Sequence, residues 1–220
     1  LSLGEYAALY GAGVLSFSDA VWAVRKRGIF MESFTVREAT KGESKFIAEL
    51  VYKTEDDPEH VWGYGSKDEV INRIKMLVEC EGSRYSYNNV KVAEKDGKVC
   101  GAIILLKGKD LSKLDLATSI KLIKNINGIK NKLRFIKDLI LEFNFFECEE
   151  NELYIANLAT FEEYRGMGIG KALIKLAENN AKEEGYKICS LLAKDKSVKG
   201  FYEKLDFVFE MEEPYYSHVL

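Results

Sequence analysis

The sequence is short of the features that would commit it to a metal, a membrane or a disulfide framework. Its only histidines are His60 and His218, and its four cysteines, Cys80, Cys100, Cys148 and Cys189, are scattered with no CxxC pair among them. That spacing excludes the common structural zinc patterns and favours buried, reduced thiols in a cytoplasmic protein. No apolar run approaches the ~18 residues of a membrane span. The N-terminus lacks the basic and then apolar regions of a secretory signal. Two prolines in the whole chain argue against long disordered linkers. A net charge of −3 supplies no electrostatic reason to expect nucleic acid or an anionic membrane as the partner. An initiator methionine is missing too, and a chain that opens on Leu1 leads us to expect a fragment of a longer product.

What is present is a globular composition and one chemically suggestive stretch. With 220 residues the chain is long enough for a well-buried core. Tyr164-Arg-Gly-Met-Gly-Ile-Gly-Lys171 follows an apolar strand pattern, Leu153 to Thr160, and leads into a helical pattern, Ile169 to Glu184. Glycines at 166, 168 and 170 let the backbone come close to an anion, and the helix start offers unpaired N–H groups at a positive dipole end. On its own such a turn has two readings, a phosphate cradle or a tight bend that binds nothing.

Around it the pattern alternates between strands and helices. Phe34–Ala39 alternates with period two and reads as a strand, and Thr40 or Ser44 caps a helix with Phe46, Ile47, Leu50 and Val51 on its apolar face. Asp56–His60 reads as a turn, His60 as an isolated loop histidine, and Trp62 to Gly65 as a loop that either lines a pocket or simply packs. Ser66 and Glu69 form a capping box for a helix reaching about Glu81. Asp96-Gly97 turns a hairpin between Val90 and Leu106 whose second strand, apolar almost throughout, belongs in the centre of a sheet. Residues 111–146 read as two helices parted by Gly128, with apolar residues at Leu116, Ile120 and Ile123, then Ile129, Leu133, Ile136 and Ile140. Their lysines (Lys121, Lys124, Lys130, Lys132, Lys137) read as a solvated face, or the stretch reads as a substrate lid or a patch drawing an anionic substrate. After the glycine-rich helix, Lys187–Ala193 reads as a buried strand, Ser197–Leu205 as a short helix, Phe207–Met211 as a strand, and the tail from Pro214 as a further strand. The class is α/β: a mixed, mainly antiparallel twisted sheet flanked by helices, with an N-terminal helical hairpin and a helical insertion near 111–146.

Two resemblances divide the chain into residues 1–33 and 34–220. Leu1-Ser-Leu-Gly-Glu-Tyr-Ala-Ala-Leu, Gly13-Val-Leu-Ser-Phe and Arg25-Lys-Arg-Gly-Ile-Phe-Met31 resemble the nucleophile region of malonyl-CoA:acyl carrier protein transacylases. The likeness implies Ser2 as an acyl carrier and Arg27 as the partner of a malonyl carboxylate. A nucleophile elbow needs a preceding strand and glycine, a base and an oxyanion hole, and the sequence supplies none of these around Ser2. The expectation is a severed helical hairpin (Leu3–Gly13, then Asp19–Lys26 capped by Ser18) without malonyl transfer.

From Phe34 onward, Leu158-Ala-Thr160 with Arg165-Gly-Met-Gly-Ile-Gly170, and then Phe201-Tyr-Glu-Lys-Leu-Asp-Phe207, resemble the GNAT superfamily of acetyl-CoA-dependent N-acyltransferases. The resemblance implies acetyl transfer from acetyl-CoA, as cosubstrate, to a primary amine in a ternary complex. The acceptor is a small molecule or a peptide amine. Homodimerisation is left open. Arg165, Gly166, Met167, Gly168, Ile169, Gly170 and Lys171 would hold the pyrophosphate. Leu158, Ala159 and Thr160 would bind pantetheine and polarise the thioester. Asp195 stands where relatives carry an asparagine that contacts pantetheine. Tyr202 would protonate the leaving thiolate, and Glu152 is the leading candidate for the base, with Glu150, Glu162 and Glu163 as alternatives. Asp206 replaces a turn glycine, a change Asp tolerates. A CoA-binding regulatory module without turnover is the alternative reading.

Overall fold

A computed structural model describes residues 8–14, 16–19, 34–142, 147–193, 198–209 and 215–219. Its frame is a seven-stranded sheet: β1 (Thr35–Glu38), β2 (Val90–Lys95), β3 (Lys98–Lys107), β4 (Glu152–Thr160), β5 (Ile188–Leu192), β6 (Val208–Phe209) and β7 (Tyr215–Val219). The strand order is β1-β2-β3-β4-β5-β7-β6, and every neighbouring pair is antiparallel except β4 with β5. The helices are α1 (Ser44–Tyr52), α2 (Pro58–Trp62), α3 (Lys67–Glu79), α4 (Leu111–Asn125), α5 (Ile129–Glu142), α6 (Ile169–Glu183) and α7 (Lys199–Glu203).

Each face of the sheet carries its own core. On one face Ile47, Leu50, Val70, Ile74 and Leu77 of α1 and α3 pack on Val90, Val92, Ile104 and Leu106. On the other, Ile169, Leu173 and Ala177 of α6 pack on Ile103, Leu105, Leu153 and Ile155. β3 is buried from Val99 to Leu106 between β2 and β4, the central place its apolar run predicts. The hairpin before it turns on Asp96 and Gly97, both at positive φ (51° and 75°), the geometry that suits the right-handed twist of paired strands. The Ser66–Glu69 capping box forms, and α6 ends at Gly185, whose φ is 82°.

Several expectations change. The Asp56–His60 turn is the start of α2, because Asp57 caps it by accepting from the His60 N–H and Pro58 suits the first turn. Trp62 lines no surface pocket. It is fully buried in the core, and Tyr64 is nearly so. Phe46 points outward from α1, where Ile47, Ala48, Leu50 and Val51 take the core side. Glu178 is buried on α6, with Lys175 Nζ 3.4 Å away. The insertion forms its two helices but buries other residues than the apolar spacing suggests. Leu111, Thr118 and Leu122 make the buried stripe of α4, and Phe135 is the buried anchor of α5. Leu116, Ile120, Ile129, Leu133 and Ile140 face outward. Both helices carry two apolar stripes, and only one can meet the body. In the N-terminal stretch residues 8–11 and 17–19 are helical, and Ser16, not Ser18, accepts from the Asp19 N–H at 3.1 Å. Ser2, Arg27 and Asp195 lie outside the described residues.

Candidate active site

The site grows out of one strand that loses a partner. β4 pairs with β5 from Glu152↔Ile188 to Ile155↔Leu191, and among the described residues the pairing stops there, although β4 runs on to Thr160. β5 stays with β7 through Leu192↔Tyr215, so the sheet opens between β4 and β5. On its other side β4 remains paired with β3 to Gly101↔Thr160, skipping Ala156, which bulges between the Ile104↔Asn157 and Leu105↔Ile155 pairs. A bulge bends its strand and strengthens its twist, which is a physical cause for the parting. Residues 152–155 are buried and 156–160 half-buried, so the change in exposure coincides with the opening. Leu158, Ala159 and Thr160 therefore sit on a strand segment with one edge unpaired among the described residues.

The glycine turn follows directly. The Phe161 N–H donates to the Cys100 carbonyl, a single 3₁₀ turn spans Glu162–Tyr164, and Arg165 is extended and exposed. Gly166 and Gly168 take φ of 79° and 82°, the left-handed region where a side chain is strained. Gly168 is the N-cap of α6 with no side-chain cap, and the first helical bond runs from the Ala172 N–H to its carbonyl. The N–H groups of Ile169, Gly170 and Lys171 precede that bond and have no helical acceptor. The turn lies against the sheet because Gly101 of β3 has no side chain. A Cβ there would sit 2.8 Å from Ile169 Cγ2 and 3.1 Å from the Ala159 carbonyl oxygen.

α7 abuts the same helix start. A Cβ at Gly170 would lie 3.2 Å from Phe201 Cζ. Tyr202, half-buried, stacks edge-on between Phe201 and Phe207, with ring centroids 5.1 and 6.0 Å away. Glu152 is elsewhere. It is the first residue of β4, buried, with its carboxylate accepting from the Glu149 N–H at 3.3 Å. At the rise of an extended strand it lies roughly 13 Å from Ala156, where the opening begins. Glu150, Glu162 and Glu163 are exposed.

Sequence reasoning missed two clusters. His60 is not isolated. Its Nδ1 is 3.3 Å from the Tyr64 hydroxyl, which donates to Asp138 Oδ2 at 2.7 Å, while the Arg134 guanidinium lies over the Tyr64 ring. Burial and the bond to Asp138 push the Tyr64 phenol up. Asp138 belongs to α5, far along the chain, so no local pattern joins it to His60. The second cluster is at the opening itself. Asn157 donates its side-chain N–H to Thr54 Oγ1 at 2.8 Å and pins the segment after α1 to β4. Two cavities, of about 150 and 260 Å³, lie away from the glycine turn, one against Lys91, Lys107 and Asn180, the other between α3 and α4 at Arg73 and Asn125.

Solved structures that share this fold include acetyltransferases. The solved structure of an N-acetyltransferase from Staphylococcus aureus Mu50 covers 84% of this chain and all of its own, with a TM-score of 0.66 and 24% identity. Another acetyltransferase structure matches at a TM-score of 0.60 and 23% identity over 84% of this chain and 98% of its own. A polyamine N-acetyltransferase of Drosophila melanogaster, which forms N-acetylagmatine, shares the fold at a TM-score of 0.50 and 12% identity over 85% of this chain and 100% of its own. The malonyl CoA-acyl carrier protein transacylase of Bacillus subtilis (strain 168) is 73% identical over 30 residues, which are 14% of this chain and 10% of that protein. The model of the acetyltransferase (GNAT) family matches residues 27–207, from before β1 to Phe207 and so through the opened strand, the glycine turn and the tyrosine helix, and the chain belongs to that family.

Proposed function

We propose that the chain transfers an acetyl group from acetyl-CoA to a primary amine by direct attack in a ternary complex. One observation carries this reading: β4 has no β5 partner from Ala156 to Thr160 among the described residues, and one 3₁₀ turn leads from it to an uncapped helix start that follows two left-handed glycines. The residues fit the cosubstrate. Backbone N–H groups between Arg165 and Lys171 suit a pyrophosphate, aided by the helix dipole. The free edge at Leu158, Ala159 and Thr160 suits the pantetheine amides, which bind as a further strand would. Its N–H groups favour negative charge developing on the thioester oxygen.

In the step itself the amine nitrogen bonds to the acetyl carbonyl carbon and the carbon–sulfur bond breaks. The sulfur leaves with the electron pair, nitrogen loses one proton, and sulfur gains one. Tyr202 is the proton donor in this reading, supported by its stacking on Phe201, whose ring lies against the start of α6. Glu152 is too far along β4 to touch the amine directly, so it takes the nitrogen's proton through intervening water. Asp195, the remaining pantetheine candidate, lies outside the described residues, and its carboxylate in place of an amide puts that one contact in question. Four free thiols, two of them buried, suit a reducing compartment such as the cytoplasm.

Calorimetric titration with acetyl-CoA tests the cosubstrate, and absence of heat at millimolar ligand refutes it. Tyr202→Phe should keep acetyl-CoA affinity and lose about 10²-fold in kcat at neutral pH, within the usual range for general acid catalysis. An unchanged kcat removes Tyr202 as the acid. Binding without acetylation of any primary amine in a broad panel would reduce the protein to a CoA-binding module.

A further inference from the structure

We propose that Asn157 receives and orients the attacking amine through its side-chain carbonyl oxygen. The proposal rests on the transferase reading above. Three observations place this residue. Asn157 follows the bulged Ala156 and stands two positions beyond the last β4–β5 pair, at the start of the unpaired edge. Its side chain lies on the face that carries α1, because it bonds Thr54, two residues past the end of that helix. α6, whose N-terminus would hold the CoA pyrophosphate, packs on the opposite face. The acetyl donor and the amine thus approach the same strand segment from different sides.

A fourth observation fixes which end of the amide is available. The Thr54 hydroxyl donates to the Val51 carbonyl at 2.7 Å. A hydroxyl has one proton. With that proton committed, Thr54 Oγ1 can only accept from its other neighbour, so Asn157 must turn its NH₂ group toward Thr54. The hydrogen-bond network therefore decides the amide orientation. Oδ1 has no partner among the described residues, and the side chain is half-buried. A half-buried carbonyl oxygen held without a donor is suited to a ligand N–H. A neutral amide is also the right acceptor for this chemistry. It aligns one N–H of a neutral amine and leaves the nitrogen lone pair free to attack, whereas a carboxylate would favour the unreactive ammonium form.

The test compares wild type with Asn157→Ala, Asn157→Asp, Thr54→Val and Thr54→Ser. Spermidine, agmatine, tryptamine and hydroxylamine serve as amine probes, and acetyl-CoA affinity is measured by calorimetry. Asn157→Ala should keep acetyl-CoA affinity within about twofold and lower kcat/KM for the amine by about 10- to 100-fold, the cost of one lost hydrogen bond to a reacting group. Thr54→Val frees the amide to rotate and should cost about 3- to 10-fold, Thr54→Ser should restore activity, and Thr54→Val should add nothing on top of Asn157→Ala. Asn157→Asp, nearly isosteric and the fallback if the alanine variant fails to fold, should move the pH profile of kcat/KM to higher pH, because a carboxylate holds the amine protonated. The proposal is overturned by unchanged kcat/KM in Asn157→Ala, by an equal loss of acetyl-CoA affinity, by additivity with Thr54→Val, or by an unshifted profile in Asn157→Asp. A wild-type protein that binds no acetyl-CoA or acetylates no probe overturns the transferase reading first, and this proposal with it.

Discussion

Arg84 holds the helical insertion to the body of the protein, and removing it should unfasten both ends at once. It lies in the loop between α3 and β2. Nη1 meets Asp115 of α4 at 2.7 Å, and the guanidinium grips Glu147, between α5 and β4, through bonds of 3.1 and 2.7 Å. The Arg84 and Glu147 side chains are 15% and 21% exposed, whereas Asp115 is 36% exposed. Breaking a buried pair by removing one partner costs ~3–5 kcal/mol, because the other charge stays desolvated and unpaired. The more exposed Asp115 contact adds at most ~1 kcal/mol. Partial exposure of Glu147 lets water recover some of the loss, so about 3 kcal/mol is expected for Arg84→Ala. With a urea m-value of ~2 kcal/mol/M the midpoint falls by about 1.5 M. Arg84→Met with Glu147→Leu should regain most of the loss, since an apolar pair of similar volume replaces the ions. The pH dependence follows from Glu147. Burial pushes its carboxyl up, but the Arg84 charge and hydrogen bonds from Arg84 and Tyr154 outweigh that and hold it below the usual range. Its contribution is therefore present above the unfolded value of about 4.3 and is lost as pH falls through the lower folded value. Asp115, pushed up by burial against the pull of Arg84, works in the opposite sense and softens the slope. A midpoint shift under about 0.5 M in Arg84→Ala, or no coupling between Arg84 and Glu147 in the double-mutant cycle, would refute this account.

Two other perturbations probe the frame of the site. Gly101→Ala drives a methyl to 2.8 Å from Ile169 Cγ2 and should destabilise by about 1–3 kcal/mol, with weaker acetyl-CoA binding because the helix start is displaced; unchanged melting temperature and affinity would show that the contact yields freely. Asp206 holds φ of 64°, so Asp206→Gly should relieve strain and raise stability by up to ~1 kcal/mol, and a fall in melting temperature would mean that its side chain makes a contact worth more than the strain.

Periodicity and capping chemistry carried most of the fold, because those signals are local. The Ser66–Glu69 box, the Asp96-Gly97 hairpin and the central apolar strand β3 all form where the pattern predicts. The glycine turn was legible for the same reason: left-handed φ and a helix start are decided within a few residues. Apolar spacing could not say which of two stripes on α4 and α5 would be covered, since that depends on where the body of the protein lies. Nor could it join His60 to Asp138, or Arg84 to Asp115 and Glu147, because those partners come together only when distant elements pack. The sequence by itself determined a strand, a glycine turn and a helix in order, together with a tyrosine helix to follow. The tertiary structure alone decided that β4 and β5 part after Ile155 and that α7 meets the start of α6. It also turned Asn157 toward Thr54 at the opening, because the parting of two strands and the orientation of an amide depend on neighbours brought from elsewhere in the chain.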